Sequence, residues 1–104
     1  MSSPNTVLNI EIISIGVFRE ILKERKINIS MNFSNSAPHI FQVIEKLDTS
    51  YSGLITKELY LDDGTLNPWT RILLNGYDIR FLDEPKPLVH DGDTILFSSV
   101  LAGG

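Results

Sequence analysis

The residues best suited to chemistry are few. His39 and His90 lie half the chain apart, with no cysteine and no further histidine beside either, so neither completes the cluster that a tetrahedral metal site or a nucleophile–base pair requires. Both read as ordinary surface residues. Asp62-Asp63-Gly64 and Asp91-Gly92-Asp93 start like fragments of calcium loops, but neither continues with the ligand spacing or the closing glutamate of an EF-hand. They read as turns. No glycine-rich run opens a helix to cradle a phosphate, and no serine sits on a strand–turn–helix elbow. What remains is the pair Gly103-Gly104 directly after an apolar strand-like segment. Two residues without Cβ atoms can thread a narrow channel in a partner and present an α-carboxylate at a buried centre. An ATP-dependent enzyme turns such a carboxylate into an acyl-adenylate, whose leaving group admits a sulfur or amine nucleophile. The competing reading is a frayed end with no chemistry.

Composition narrows the frame around that pair. The chain has 104 residues and 11.7 kDa, 42% of them apolar and 21% charged. That fits one globular domain with one core and excludes a fibrous or disordered chain. With no cysteine, disulfides, thiolate-bound zinc, iron–sulfur clusters and a cysteine nucleophile are excluded. A formal charge of −4 is the wrong sign for a phosphate-binding surface, so no direct nucleic-acid contact is expected. No apolar run approaches the roughly 20 residues needed to span a bilayer, and the expectation is a cytoplasmic protein with no membrane contact.

The elements that must hold the chain follow from periodicity. Met1 to Thr6 reads as a frayed lead. Val7–Ile15 alternates, with Leu8, Ile10 and Ile12 on one face and Asn9 and Glu11 on the other, which predicts a strand. Val17–Leu22 reads as a short helix after Gly16, and Ile27, Ile29, Met31 and Phe33 alternate in a second strand. Asn35 or Ser36 is expected to cap the main helix with Pro38 in its first turn. Its stripe is Ile40, Val43, Ile44 and Leu47 at i, i+3, i+4 and i+7. Tyr51-Ser52-Gly53 breaks it, and a weaker helix covers Leu54 to Leu61. Arg71–Leu74, Asn75-Gly76 and the residues beyond read as a hairpin. Asp83–Pro87 is irregular, and Thr94–Val100 is a last strand. One sheet must pack on the main helix and leave its other face outward. Glu11 marks that outer face and Ile13 and Ile15 share its parity, whereas Ile95-Leu96-Phe97 is apolar on both parities. Either loops cover these residues or they form a partner-binding patch.

Several stretches together carry a family resemblance. Phe18-Arg19-Glu20, Tyr51-Ser52-Gly53-Leu54, Leu74-Asn75-Gly76-Tyr77-Asp78-Ile79, Leu88-Val89-His90-Asp91-Gly92-Asp93 and the final Gly103-Gly104 resemble those of the ubiquitin-like β-grasp sulfur carriers. The likeness is greatest to the molybdopterin synthase small subunit and the small archaeal modifier proteins. The resemblance implies an α+β fold over residues 1–104, with a mixed sheet wrapping one helix, its first and last strands parallel and central, and a tail from about residue 101. It implies that an E1-like adenylating enzyme uses ATP to activate Gly104, after which the carboxylate becomes a thiocarboxylate or is joined to a lysine. Gly103, Ala102 and Leu101 would form the threaded tail, and Ile15 and Phe97 the face that meets the partner. No cofactor is implied to be permanently bound, no metal site, and no catalysis by the chain itself, which could serve as a non-catalytic synthase subunit. The acceptors left open are a molybdopterin synthase large subunit, a tRNA thiolation enzyme and lysine-bearing proteins. Lys23, Lys26, Lys46, Lys57 and Lys86 are either solvated side chains or acceptors of further copies. The alternative to all of this is a β-grasp module that binds a partner non-covalently and does nothing with its tail.

Overall fold

A computed structural model describes residues 5–34 and 37–99. Among them the order is β1 (Asn5–Ser14), α1 (Val17–Leu22), β2 (Lys26–Ser34), α2 (Ile40–Asp48), a 3-10 turn at Thr49–Tyr51, α3 (Leu54–Leu59), β3 (Thr70–Leu74), β4 (Tyr77–Asp78), a 3-10 turn at Ile79–Phe81, and β5 (Thr94–Ser99). The strands form one sheet in the order β2-β1-β5-β3-β4. β1 and β5 are its parallel pair, with Ile12 beside Ile95 and Ser14 beside Phe97, and β2 and β3 flank them antiparallel.

The alternation in β1 sets the layers. Leu8, Ile10 and Ile12 are buried and face α2, whose Ile40, Val43, Ile44 and Leu47 are buried in turn. A stripe at helical spacing meeting strand residues at period two is the arrangement that closes a single core between one helix and one sheet. Asn5 and Thr6 extend β1, so that part of the expected frayed lead is strand. β1 also stops at Ser14, before Ile15. Met1–Pro4 lie outside the described residues.

The start of α2 differs from expectation. Its N-cap is His39, whose Nδ1 accepts from the Gln42 N–H at 3.3 Å while the His39 N–H donates to Gln42 Oε1 at 2.9 Å. This reciprocal pair is a capping box built on an imidazole, and Pro38 therefore precedes the cap instead of entering the first turn. The Pro38 carbonyl instead accepts from the Val89 N–H at 2.9 Å, and the Ile40 N–H donates to the Pro87 carbonyl at 2.9 Å. The segment before β5 is thus laced to the start of the helix. Asn35 and Ser36, the expected caps, lie outside the described residues.

The hairpin turn is as its residue types require. Asn75 and Gly76 both have positive φ, 52° and 88°, the pairing that matches the twist of two strands joined by two residues. Asn75 also ties the hairpin to β5: its N–H donates to the Thr94 carbonyl at 2.8 Å and its Oδ1 accepts from the Thr94 N–H at 2.9 Å. At the Asp62-Asp63-Gly64 turn, the Thr65 hydroxyl and N–H donate to the Asp63 carboxylate and hold its pKa below the usual carboxylate range. A lowered folded-state pKa supports the fold above the unfolded value, and that support fades as pH falls through the folded one.

Asp48 is the buried carboxylate that organises the break between helices. Its Oδ1 accepts from the Ile55 N–H at 2.8 Å, and its Oδ2 accepts from the Thr56 N–H at 3.0 Å and from the Thr56 hydroxyl. These are first-turn donors of α3, whose own N-cap, Gly53, carries no side chain to satisfy them. Removing the acceptor strands buried donors, so Asp48→Ala should lower unfolding stability by about 2–4 kcal/mol, read by urea denaturation. Asp48→Asn, which keeps one carbonyl acceptor, should lose less.

Candidate functional site

β5, the last described strand, lies in the middle of the sheet. In β5, Ile95 and Phe97 are fully buried, while Thr94, Leu96 and Ser98 on the opposite parity are only half-buried. This decides the ambiguity of the doubly apolar strand, and it corrects the expectation for Phe97. Phe97 is not on the outer face: it is 0% exposed, and its ring lies 5.5 Å from that of Phe18 on α1. The sheet's inner face is where a large aromatic recovers most from burial. Ile15 is 42% exposed, just beyond β1, and its N–H donates to the Phe97 carbonyl at 2.9 Å. The two expected face residues are therefore backbone neighbours whose side chains have opposite fates.

The outer face is carried by Ile13, Leu96 and Leu73, which register pairing places side by side across β1, β5 and β3. All three are half-buried. An ion pair stands at each end of this apolar row: Lys26 with Glu11 and Arg71 with Asp78, both at 3.6 Å. Exposed pairs of this kind contribute little to stability, but they frame the row with charge. Ile13 was legible from its parity with Glu11. Leu96 and Leu73 were not, because their side is set by which residues β3 and β5 pair, and no local pattern encodes that.

The described end of β5 is Ser99, paired with Thr70 of β3. Leu101, Ala102, Gly103 and Gly104 lie outside the described residues. Other large side chains are exposed in and around β3 and β4. Trp69, Tyr77 and Phe81 are all prominent at the surface, near Arg80, whose guanidinium donates to the carbonyls of Thr70 and Asn67.

The histidines go to separate structural tasks. His39 caps α2, and His90 lies 3.9 Å from Asp93, whose carboxylate accepts from the His90 N–H. Among the described residues no three His, Cys, Asp or Glu side chains are placed to hold a metal ion. No helix among them is long and apolar enough to cross a membrane.

Comparison with known proteins then decides the family. The model of the family Urm1 (Ubiquitin related modifier) matches residues 8–104. The chain belongs to this family of ubiquitin-related modifiers. It is 29% identical over 86 residues to Ubiquitin-related modifier 1 of Eremothecium gossypii, covering 79% of this chain and 83% of that one. It is 25% identical over 97 residues to Small archaeal modifier protein 3 of Haloferax volcanii, covering 93% of this chain and 100% of the relative. Among solved structures, the Haloferax volcanii HVO 2177 protein superposes with a TM-score of 0.71 at 26% identity, over 94% of this chain and 88% of that one. The ubiquitin-like β-grasp fold expected from the sequence is the fold observed.

The opposite orientations of Phe97 and Leu96 give a direct check. Phe97→Ala should cost about 3–5 kcal/mol of stability. Leu96→Thr, on the outer face of the same strand, should stay within about 1 kcal/mol of the parent, both read by chemical denaturation.

Proposed function

We propose that this Urm1-family chain is a ubiquitin-like carrier and modifier whose working group is the α-carboxylate of Gly104, activated by a separate E1-like adenylating enzyme that consumes ATP. In the first step the carboxylate oxygen attacks the α-phosphorus of ATP, releasing pyrophosphate and leaving an acyl-adenylate. Hydrosulfide then attacks the acyl carbon and displaces AMP to give a thiocarboxylate, or a lysine amine attacks it and displaces AMP to give an isopeptide bond. The chain supplies a co-substrate and the enzyme supplies the catalysis. A thiocarboxylate suits delivery of sulfur to a molybdopterin precursor or to tRNA, and an isopeptide suits tagging of lysine-bearing proteins.

The observation that carries this reading is the family match running through Gly103 and Gly104, which follow the central strand β5 in the sequence. Leu101 and Ala102, with the two glycines, form a segment of small and apolar side chains suited to a narrow channel. The apolar row Ile13–Leu96–Leu73, three residues back along β5 from the Ser99 root, supports the same reading. An activating enzyme that covers this row holds the carrier by its face while the tail reaches the nucleotide. Ile15, exposed beside the root, extends that face.

Two outcomes test the reading. Incubated with ATP, a sulfur source and the host's adenylating enzyme, the intact protein should gain about 16 Da as oxygen is replaced by sulfur, and a form lacking Gly103 and Gly104 should gain nothing. An unchanged mass with a demonstrably active enzyme would overturn the sulfur branch, and the absence of Gly104-linked conjugates as well would overturn the reading. Ile13→Arg should leave the fold intact and weaken binding to the activating enzyme by about tenfold or more, measured by calorimetry. Unchanged affinity would place the docking face elsewhere.

A further inference from the structure

We infer that Ser99 and the Gly16–Val17 junction form a lock that positions the C-terminal segment for activation, an inference that rests on the activation reading above. α1 begins without a cap of its own, since its N-cap residue, Gly16, has no side chain. The missing acceptor comes from the far end of the sequence: the Val17 N–H donates to Ser99 Oγ at 3.0 Å. A strand residue thus caps a helix 82 positions away, and the strand residue is the last one described before the tail.

Gly16 makes this approach possible. Its φ is +70° with ψ −134°, a backbone region that side chains disfavour. A Cβ built there would collide with Ser99 Oγ and press on the Ser99 carbonyl at 3.2 Å. No residue but glycine lets β5 and α1 come this close. Neighbouring contacts hold the same junction: the Ile15 N–H donates to the Phe97 carbonyl, and Phe97 packs on Phe18, the second residue of α1. On its other side Ser99 is in register with Thr70. Ser99 is therefore fixed by β3 through the backbone and by α1 through its hydroxyl.

The consequence is geometric. Five residues, Val100–Gly104, follow Ser99, and fully extended they reach about 17 Å at most. The point from which that reach is measured is set by the lock. Releasing Ser99 lets the end of β5 peel from the sheet and gives the carboxylate a wider volume to search, which lowers the fraction of bound complexes aligned for attack on the nucleotide. Docking through Ile13, Leu96 and Leu73 is untouched by this change. The lock should therefore act on kcat and not on KM for the carrier.

The test uses the full chain with its adenylating enzyme and ATP, in steady-state adenylation kinetics. Ser99→Ala removes the acceptor. Replacing the Val17 amide N–H by an ester oxygen, with the valine side chain kept, removes the donor from the other side of the same bond without adding bulk against Ser99 Oγ. Each should lower kcat by about three- to tenfold with KM unchanged. The double variant should fall no further than either single one, because both remove one interaction, and Ser99→Thr should retain activity through its hydroxyl. A folded Ser99→Ala protein at parental kcat, or losses that multiply in the double variant, would overturn the lock while leaving the activation reading in place. A parental chain that is not adenylated at all would overturn both.

Discussion

The parallel pairing of β1 with β5 is the constraint on which the rest of the molecule depends. Two parallel neighbours cannot be joined by a tight turn, so everything from Gly16 to Asp93 is a connection that must return to the same sheet. The main helix packs within that connection and β2 and β3 take the outer flanks. The pairing also brings residues near the two ends of the sequence into the middle of one sheet, which makes the Val17–Ser99 bond possible. It seats β5 between two hydrogen-bonded neighbours, β1 and β3. A tail rooted in a central strand has a fixed origin, and one rooted in an edge strand or loop has a softer one.

The buried polar groups among the described residues serve the fold. The buried carboxylate and hydroxyls are turned to the backbone: Asp48 caps α3, Ser14 donates to the Glu24 carbonyl and Thr70 donates to the Asn67 carbonyl, while the half-buried His39 caps α2. The outer face of the sheet carries the apolar row Ile13, Leu96 and Leu73 between two ion pairs.

Much of this was legible in the residues, for reasons that differ by element. The period of β1 and the stripe of α2 were clear because each buries one face only. The Asn75-Gly76 turn was clear because few residues accept two successive positive φ values. Phe97 was misplaced because a strand apolar on both parities gives no local sign of which side faces the helix. That sign lies in its pairing with Ser14 and Ile72, which is a long-range fact. The cap of α2 was misassigned because an imidazole acceptor is an uncommon cap, and Asn35 and Ser36 were the more usual types. The Gly16–Ser99 junction joins residues at opposite ends of the chain. In the sequence Gly16 signals only that a strand stops.

The central claim is that the carboxylate of Gly104 is the group that an adenylating enzyme activates. Exchange of labelled pyrophosphate into ATP reports the reversible attack of that carboxylate on the nucleotide and nothing downstream of it. The account predicts exchange that depends on this chain and is lost when Gly104 carries a C-terminal amide, with the fold unchanged. Equal exchange from the amidated protein, or none from the free carboxylate with an active enzyme, would contradict it.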